Sequence, residues 1–282
     1  MAKSEALAAL AWLLDAGADE ALQDEPTDRF VAAVAKPPAT QSSRPADSEP
    51  VGPRTEQRKP SPPKTAAPEI DTDSIGRAME IAARCNSLPE LKAALEAFEG
   101  SALKKLATNT VFADGTPDCH IMLIGEAPGR EEDLAGLPFV GRAGKLLDKM
   151  LAAIGLDRKT NAYITNVINW RPPENRDPSP EEAAICLPFL RRHIELVAPE
   201  IIVVLGAVAA RHVMGRTDGI MRLRGKWLEY HVNGHMVPVM PTLHPAYLLR
   251  RAIDKKLAWR DLQAIDDRIK SLGLLERGRA HG

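Results

Sequence analysis

Short apolar runs alternate with amphipathic stretches over the second half of the chain. Continuous apolar segments at 120–125, 162–169 and 200–206 predict buried strands, whereas 142–155 and 179–197 have the three-to-four-residue apolar spacing of helices. Fully apolar strands separated by helices are typical of parallel sheets covered on both faces. The pattern therefore predicts an α/β fold: a single three-layer α/β/α domain with a mainly parallel central sheet.

The flanking segments extend this prediction. Helices are predicted over 73–84 and 88–107, before the first apolar strand, and over about 246–273 at the end. Residues 225–245 predict a hairpin that turns at an Asn-Gly pair (233–234) and leads into a further buried strand. These segments add helices to the layers and at least one antiparallel strand to the sheet.

The first 70 residues have a different character. Residues 4–23 predict an amphipathic helix, and we assign residues 1–35 to a short helical arm. Nine prolines fall within 36–70, among Ser, Thr, Lys and Glu, so this segment cannot bury enough apolar surface to fold. We expect a disordered, Pro-rich tether over 36–70 and the folded domain over 71–276.

Charge distribution and the lack of long apolar runs indicate which partners and which cell compartment to expect. The chain is 44% hydrophobic and 27% charged, with a formal net charge of −1, but residues 211–260 hold ten basic and three acidic residues. A solvated face and a surface for an anionic partner such as a nucleic acid both explain this asymmetry. No long apolar run and no leader pattern is present, so we expect a cytoplasmic protein without membrane contact.

Polar residues follow the predicted strands at the edge where such sheets bind ligands. Glu126 follows the first apolar strand, Asn166 lies near the end of the second, and His244 follows the last. Each has a structural alternative, since Asn often bonds its own backbone and a His before Pro is commonly structural. Phe139, between two glycine-containing turns, would normally belong to the core. The glycine motifs for dinucleotides and for P-loop phosphate binding are absent.

Four segments, in this order and spacing, resemble the uracil-DNA glycosylase superfamily, above all its family-4 branch, the iron–sulfur uracil-DNA glycosylases. They are GEAPGREEDLAGLPFVGRAGKLLDKMLAAIGL, YITNVINWRPPENRDPSPEE, IIVVLGAVAA and PTLHPAYLLR. The resemblance extends from about Val111 to Arg260. It implies an enzyme that flips deoxyuridine out of DNA and hydrolyses its N-glycosidic bond, leaving an abasic site for base excision repair.

The resemblance also implies roles for individual residues. His244 would donate a hydrogen bond to the charge that develops on uracil O2, and Glu126 would position water or stabilise the sugar cation. Phe139 would stack on uracil, and Asn166 would read its N3/O4 edge. The other implied contacts are to uracil at Ala127 and to DNA at Gly129, Arg171, Arg176, Tyr247, Leu248, Arg250 and Arg251. Of these, Tyr247 and Leu248 would wedge into the base stack; the alternative is an ordinary first turn of a helix.

The cysteines depart from the family-4 pattern. Family-4 enzymes hold their cluster with four cysteines, whereas this chain has three in total. Cys186 stands at the fourth ligand position, Trp170 at the third, and Cys85 with Leu88 where a cysteine pair would be. Because such a cluster needs four thiolates or histidine replacements, we expect no iron–sulfur cluster and no metal. Trp170 is predicted to fill the space and hold the loop by packing, and Cys186 to be a packed thiol.

Two other functions stay open at this point. The first is a DNA- or nucleotide-binding protein that keeps the pocket without turnover, and the second is a glycosylase for hypoxanthine, xanthine or another mismatched base. The expected partner is uracil-containing DNA, single- or double-stranded, and we expect a monomer. No lysine stands at a matched motif position, so lyase chemistry through a Schiff base is not indicated.

Overall fold

The computed structural model describes residues 72–276; the predicted arm and tether lie outside the described residues. In chain order the elements are α1 (Thr72–Arg84), α2 (Leu88–Ala97), β1 (Ala113–Gly115), β2 (Ile121–Gly125), α3 (Arg130–Ala135), α4 (Arg142–Ala152), β3 (Tyr163–Asn166), α5 (Pro180–Val197), β4 (Ile201–Leu205), α6 (Ala207–Met214), α7 (Ile220–Leu223), β5 (Leu228–Val232), β6 (His235–Thr242), α8 (Pro245–Arg250) and α9 (Lys255–Leu272). Short 3-10 turns occupy Pro173–Asn175 and Ala252–Asp254.

The strands form one sheet in the order β1-β3-β2-β4-β6-β5. The four inner strands β3, β2, β4 and β6 run parallel, and β1 and β5 are antiparallel edge strands. The predicted mainly parallel sheet is therefore confirmed, and so is the hairpin, since β5 and β6 are joined by Asn233 and Gly234.

Alternate side chains along the strands enter two separate cores. Along β2, Met122 and Ile124 contact the core formed with α1, α2, α5 and α6, whereas Ile121 and Leu123 contact the core formed with α4, α8 and α9. Successive residues of a strand point to opposite faces, so an entirely apolar strand is buried on both sides. This arrangement confirms the predicted three layers.

Three predicted boundaries differ from the observed ones. The helix predicted over 88–107 ends at Ala97, because Phe98 is extended and buried beneath it. The strand predicted to reach 169 ends at Asn166, after which Asn169 bonds Val111 through both its carbonyl and its side-chain amide. The C-terminal helix predicted over 246–273 is divided by the 3-10 turn into α8 and α9.

The segment between β3 and α5 is held at its far end by a capping box. Ser179 accepts a hydrogen bond from the Glu182 amide at 3.2 Å, and the Glu182 carboxylate accepts from the Ser179 amide at 2.8 Å. Pro180, which has no N–H to lose, occupies the first turn of α5. Residues 167–179 thus form a stiff loop beside the carboxyl edge of the sheet.

None of the helices within residues 72–276 combines the length and apolar character needed to cross a bilayer.

Candidate active site

A cleft of about 360 Å³ opens at the carboxyl edge of the sheet. Glu126 follows β2, Asn166 ends β3 and His244 follows β6, and all three side chains line it. The next strands along the chain, β3 and β4, lie on opposite sides of β2, and such a change of direction is the usual ligand position in open α/β sheets. The other predicted site residues in the lining are Ala127, Gly129, Phe139, Arg176 and Arg250.

One wall of the cleft is the ring of Phe139, which approaches Asn166 over Gly125. A Cβ atom on Gly125 would lie 2.6 Å from the Phe139 ring and would overlap Asn166 Oδ1, so only glycine fits there. Asn166 is 2% exposed, and its Oδ1 has no hydrogen-bond partner among the described residues. A buried unpaired carbonyl oxygen is costly unless a ligand satisfies it. This wall therefore combines the flat apolar face of Phe139 with an unpaired hydrogen-bond acceptor, Asn166 Oδ1.

His244 caps α8 and lies beside the Phe139 ring, at 5.6 Å between ring centroids. Its Nδ1 accepts a hydrogen bond from the Ala246 amide at 3.1 Å, which leaves the proton of a neutral ring on Nε2. Burial, with a smaller effect from Arg250, lowers the pKa of His244 to about 4. The imidazole is therefore neutral at pH 7 and can donate through Nε2.

Glu126 holds its proton to a higher pH than an ordinary surface carboxylate does. Its pKa is raised to about 7, mainly by burial and to a smaller extent by nearby Asp177, while Arg211 acts in the opposite direction. A carboxyl group with a pKa near neutrality exchanges protons readily at the pH of the cell. Its backbone is fixed, because the Glu126 carbonyl accepts from the Ile168 amide at 3.0 Å.

Two acidic residues in the lining were not among the sequence-predicted site residues. Glu132 accepts hydrogen bonds from the amides of Gly129, Val140 and Gly141 at 2.9–3.1 Å and so joins the loop after β2 to the loop that carries Phe139. Its position three residues after Gly129 is a helix-capping pattern that sequence inspection can recognise. Asp177 had no such signal, because its proximity to Glu126 depends on the path of the loop.

Two of the predicted DNA contacts, Arg171 and Arg176, lie in the loop between β3 and α5, and only one of them lines the cleft. Arg176 lines the cleft but donates to both carboxylate oxygens of Glu182, at 2.8 and 2.6 Å. Arg171 lies outside the lining and donates to Asn175 Oδ1 at 2.7 Å. Both guanidinium groups remain close to solvent, but Arg171 already has a partner within the loop and Arg176 has one in the first turn of α5.

The predicted wedge needs a correction at Leu248. This side chain is 1% exposed and belongs to the core shared with α4, because the helix that starts at Pro245 turns it inward. The next residue, Leu249, is 40% exposed instead. Tyr247 is half-buried, with its hydroxyl donating to Asp254 at 2.6 Å, and Arg251 is exposed and pairs with the same carboxylate at 3.4 Å.

The cysteine positions do not fit an iron–sulfur cluster. Cys85 and Cys186 are buried free thiols, and two sulfur ligands are fewer than the four that such a cluster needs. Trp170 is fully buried in the same core and donates through Nε1 to Thr110 at 2.9 Å. Over residues 72–276 there is no group of three or more His, Cys, Asp or Glu side chains arranged to hold a metal ion.

Fold and cleft together place the Phe139 ring, the unpartnered Oδ1 of Asn166 and the imidazole of His244 in one cleft at the carboxyl edge of an α/β sheet. The family model of the uracil DNA glycosylase superfamily matches residues 112–263, and the chain belongs to this superfamily. A type-4 uracil-DNA glycosylase of Archaeoglobus fulgidus is 48% identical over 153 residues, 53% of this chain and 76% of the relative. One from Thermotoga maritima is 42% identical over 59% of this chain and 86% of the relative, and one from Saccharolobus solfataricus is 38% identical over 60% and 80%.

Proposed function

We propose that this protein is a uracil-DNA glycosylase, a hydrolase that releases uracil from DNA and leaves an abasic site for base excision repair. The family match and the type-4 relatives support the activity. The observation that carries the substrate is the buried, unpartnered Oδ1 of Asn166 beside the Phe139 ring. Uracil offers a ring to stack on the phenyl group and an N3–H to donate to that oxygen.

Selection against cytosine follows from the same amide. The carboxamide of Asn166 accepts from uracil N3–H and donates to O4, whereas cytosine presents an acceptor at N3 and a donor at N4. Each mismatch leaves a buried group unpaired at a cost of about 1–3 kcal/mol. A flipped cytosine therefore binds this cleft poorly.

Cleavage of the glycosidic bond leaves negative charge on uracil and positive charge on the sugar. The neutral imidazole of His244 donates from Nε2 to uracil O2 as the charge develops, and donors fixed in this way typically lower a barrier by about 3–4 kcal/mol. The Glu126 carboxylate, on the other side, accepts a proton from attacking water or stabilises the sugar cation. Ala127 and Gly129 also line the cleft.

DNA would approach along the rim that carries Arg250, Arg251 and the exposed Leu249, which replaces Leu248 as the apolar wedge together with Tyr247. Arg171, Arg176 and the stiff loop would face the backbone on the opposite rim. We propose that the protein acts as a monomer in the cytoplasm, on single- or double-stranded DNA. The misfit of the cysteines supports an enzyme whose loop is held by packing without an iron–sulfur cluster.

The test is release of uracil from oligonucleotides that contain one deoxyuridine, single- and double-stranded, with strand scission by alkali as the readout. Wild-type protein should give scission, and we expect His244→Gln and Asn166→Leu each to reduce kcat/KM by about 10²–10³-fold. His231→Gln, an exposed histidine on β5 outside the cleft lining, is the control. DNA binding without scission by the wild type would refute the enzyme, and full activity of both cleft variants would refute the pocket.

A further inference from the structure

We infer that Arg158 is a positioning residue that holds the Phe139 wall of the cleft in place, an inference that rests on the proposed function. Phe139 has a φ of 53°, in the left-handed region that non-glycine residues rarely adopt. Such a conformation costs about 1–3 kcal/mol and persists only where its surroundings enforce it. Arg158 lies in the loop between α4 and β3.

The guanidinium group bonds the backbone on both sides of the strained residue. Nη2 donates to the Phe139 carbonyl at 2.9 Å, and Nη1 donates to the Pro138 carbonyl at 3.1 Å. The group is itself held by two carboxylates, Asp148 of α4, to Nε and Nη2 at 2.9 and 2.7 Å, and Asp114 of β1, to Nη1 at 2.8 Å. Its side chain is only 13% exposed. The planar fork thus connects an edge strand, a helix and the cleft loop at fixed angles.

The opposite side of the same segment is bound by Glu132, which accepts from the amides of Val140 and Gly141. The Phe139 carbonyl also packs closely against α4, in the space that a Cβ on Gly144 would fill. Without Arg158, two carbonyl oxygens would face the two carboxylates with no cation between them. The segment would then move away from Asp114 and Asp148, and the Phe139 ring would move with it.

Displacement of the ring would affect chemistry more than DNA affinity. The ring lies 5.6 Å from the His244 ring and against the Asn166 amide, so it sets where the base sits relative to both. A misplacement of about 1 Å can cost about 10²-fold in rate. Affinity for DNA comes mainly from phosphate contacts, which lie outside this segment.

The experiment compares Arg158→Gln and Arg158→Lys with wild type and with Arg192→Gln. Arg192 is a matched control, because it also donates to a backbone carbonyl, that of Cys85, and pairs with a carboxylate, Glu195, outside the cleft lining. We expect Arg158→Gln to lower kcat by about 10–100-fold, with KM for DNA changed less than about threefold, and to weaken inhibition by free uracil to a similar degree. Arg158→Lys, which keeps the charge but not the fork, should retain more activity than Arg158→Gln. Arg192→Gln should equal wild type.

Amide hydrogen exchange of Val140 and Gly141 provides a readout that does not depend on activity. Exchange should accelerate by at least about tenfold in Arg158→Gln and stay unchanged in Arg192→Gln. If Arg158→Gln does not fold, Asp148→Asn takes its place. This variant removes the charge of one half-exposed carboxylate that holds Arg158, so it should change kcat, uracil inhibition and exchange in the same direction but by smaller factors. Wild-type kcat, uracil inhibition and exchange in the Arg158 variants would overturn the assignment. A wild-type enzyme that releases no uracil would refute the proposed function alone, since the exchange experiment still decides the role of Arg158.

Discussion

At the scale of single residues, burial changes the protonation of two groups that line the cleft. His244 is kept neutral, with a pKa of about 4, and its Nδ1 is occupied by the Ala246 amide, so Nε2 is a fixed donor. Glu126 has a pKa of about 7, so about half of it is ionised near neutrality. One group is thus ready to donate over the whole physiological range, while the other becomes an acceptor only as the pH rises.

This difference predicts the pH dependence of the enzyme. Both roles considered for Glu126 need its carboxylate, so kcat should rise about tenfold per pH unit below pH 7 and level off above it. Asp177→Asn removes a negative neighbour that raises the pKa of Glu126, so its profile should shift to lower pH. Glu126→Gln should lose about 10²–10⁴-fold in kcat and show no such rise. An unchanged acidic limb in Glu126→Gln would contradict the assignment.

The same pKa has a consequence for folding. Because the folded state favours the protonated form of Glu126, the stability from this group is present below the ordinary carboxyl pKa of 4.5 and is lost as the pH rises through about 7. Glu126→Gln should therefore unfold at the same or a higher denaturant concentration than wild type above pH 7. Active sites commonly carry such a cost for function.

At the scale of elements, the loop between β3 and α5 is held from both ends. Trp170 lies fully buried at its start and bonds Thr110, and the capping box of Ser179 and Glu182 closes its end. The prediction that Trp170 fills the space and pins the loop agrees with this burial. Trp170 belongs to a buried core cluster that consists of apolar residues and the three free cysteines.

Replacement of Trp170 tests whether packing holds this loop. Trp170→Ala should lower the free energy of unfolding by about 3–5 kcal/mol, because a large buried cavity forms. Trp170→Phe should lose mainly the hydrogen bond to Thr110, at about 1 kcal/mol, and keep uracil release. Denaturant unfolding and the scission assay measure both effects. The wild-type protein should lack a visible absorption band and bound iron; a brown protein with stoichiometric iron would show that a cluster holds the loop.

At the scale of the whole molecule, the basic stretch 211–260 serves more than one purpose. Arg224 is turned inward, bonded to Asp261 and to the Leu257 carbonyl, so it stabilises the fold. Arg250 and Arg251 are exposed next to the cleft. Composition alone counted all of these cations alike, whereas the structure separates an arginine bonded inside the fold from arginines exposed to solvent.

The salt dependence of DNA binding tests that separation. Each phosphate contact contributes about one unit to the slope of log K against log salt, so Arg250→Gln and Arg251→Gln should each reduce the slope by about one. Arg84→Gln, an exposed arginine on α1 outside the cleft lining, should leave it unchanged. The measurement is titration of a uracil-containing oligonucleotide at several salt concentrations. Equal slopes in all the proteins would remove these arginines from the DNA surface.

The sequence by itself determined the layers of the fold and the edge where the site lies. Apolar strands separated by helices favour parallel pairing, and parallel strands bring their carboxyl ends to one edge, so Glu126, Asn166 and His244 were expected at that edge. The tertiary structure alone decided that Leu248 turns inward, that Arg176 is paired with Glu182, and that Arg158 supports Phe139. The physical reason is that these outcomes depend on the path of loops and on contacts between distant segments, which local periodicity does not encode.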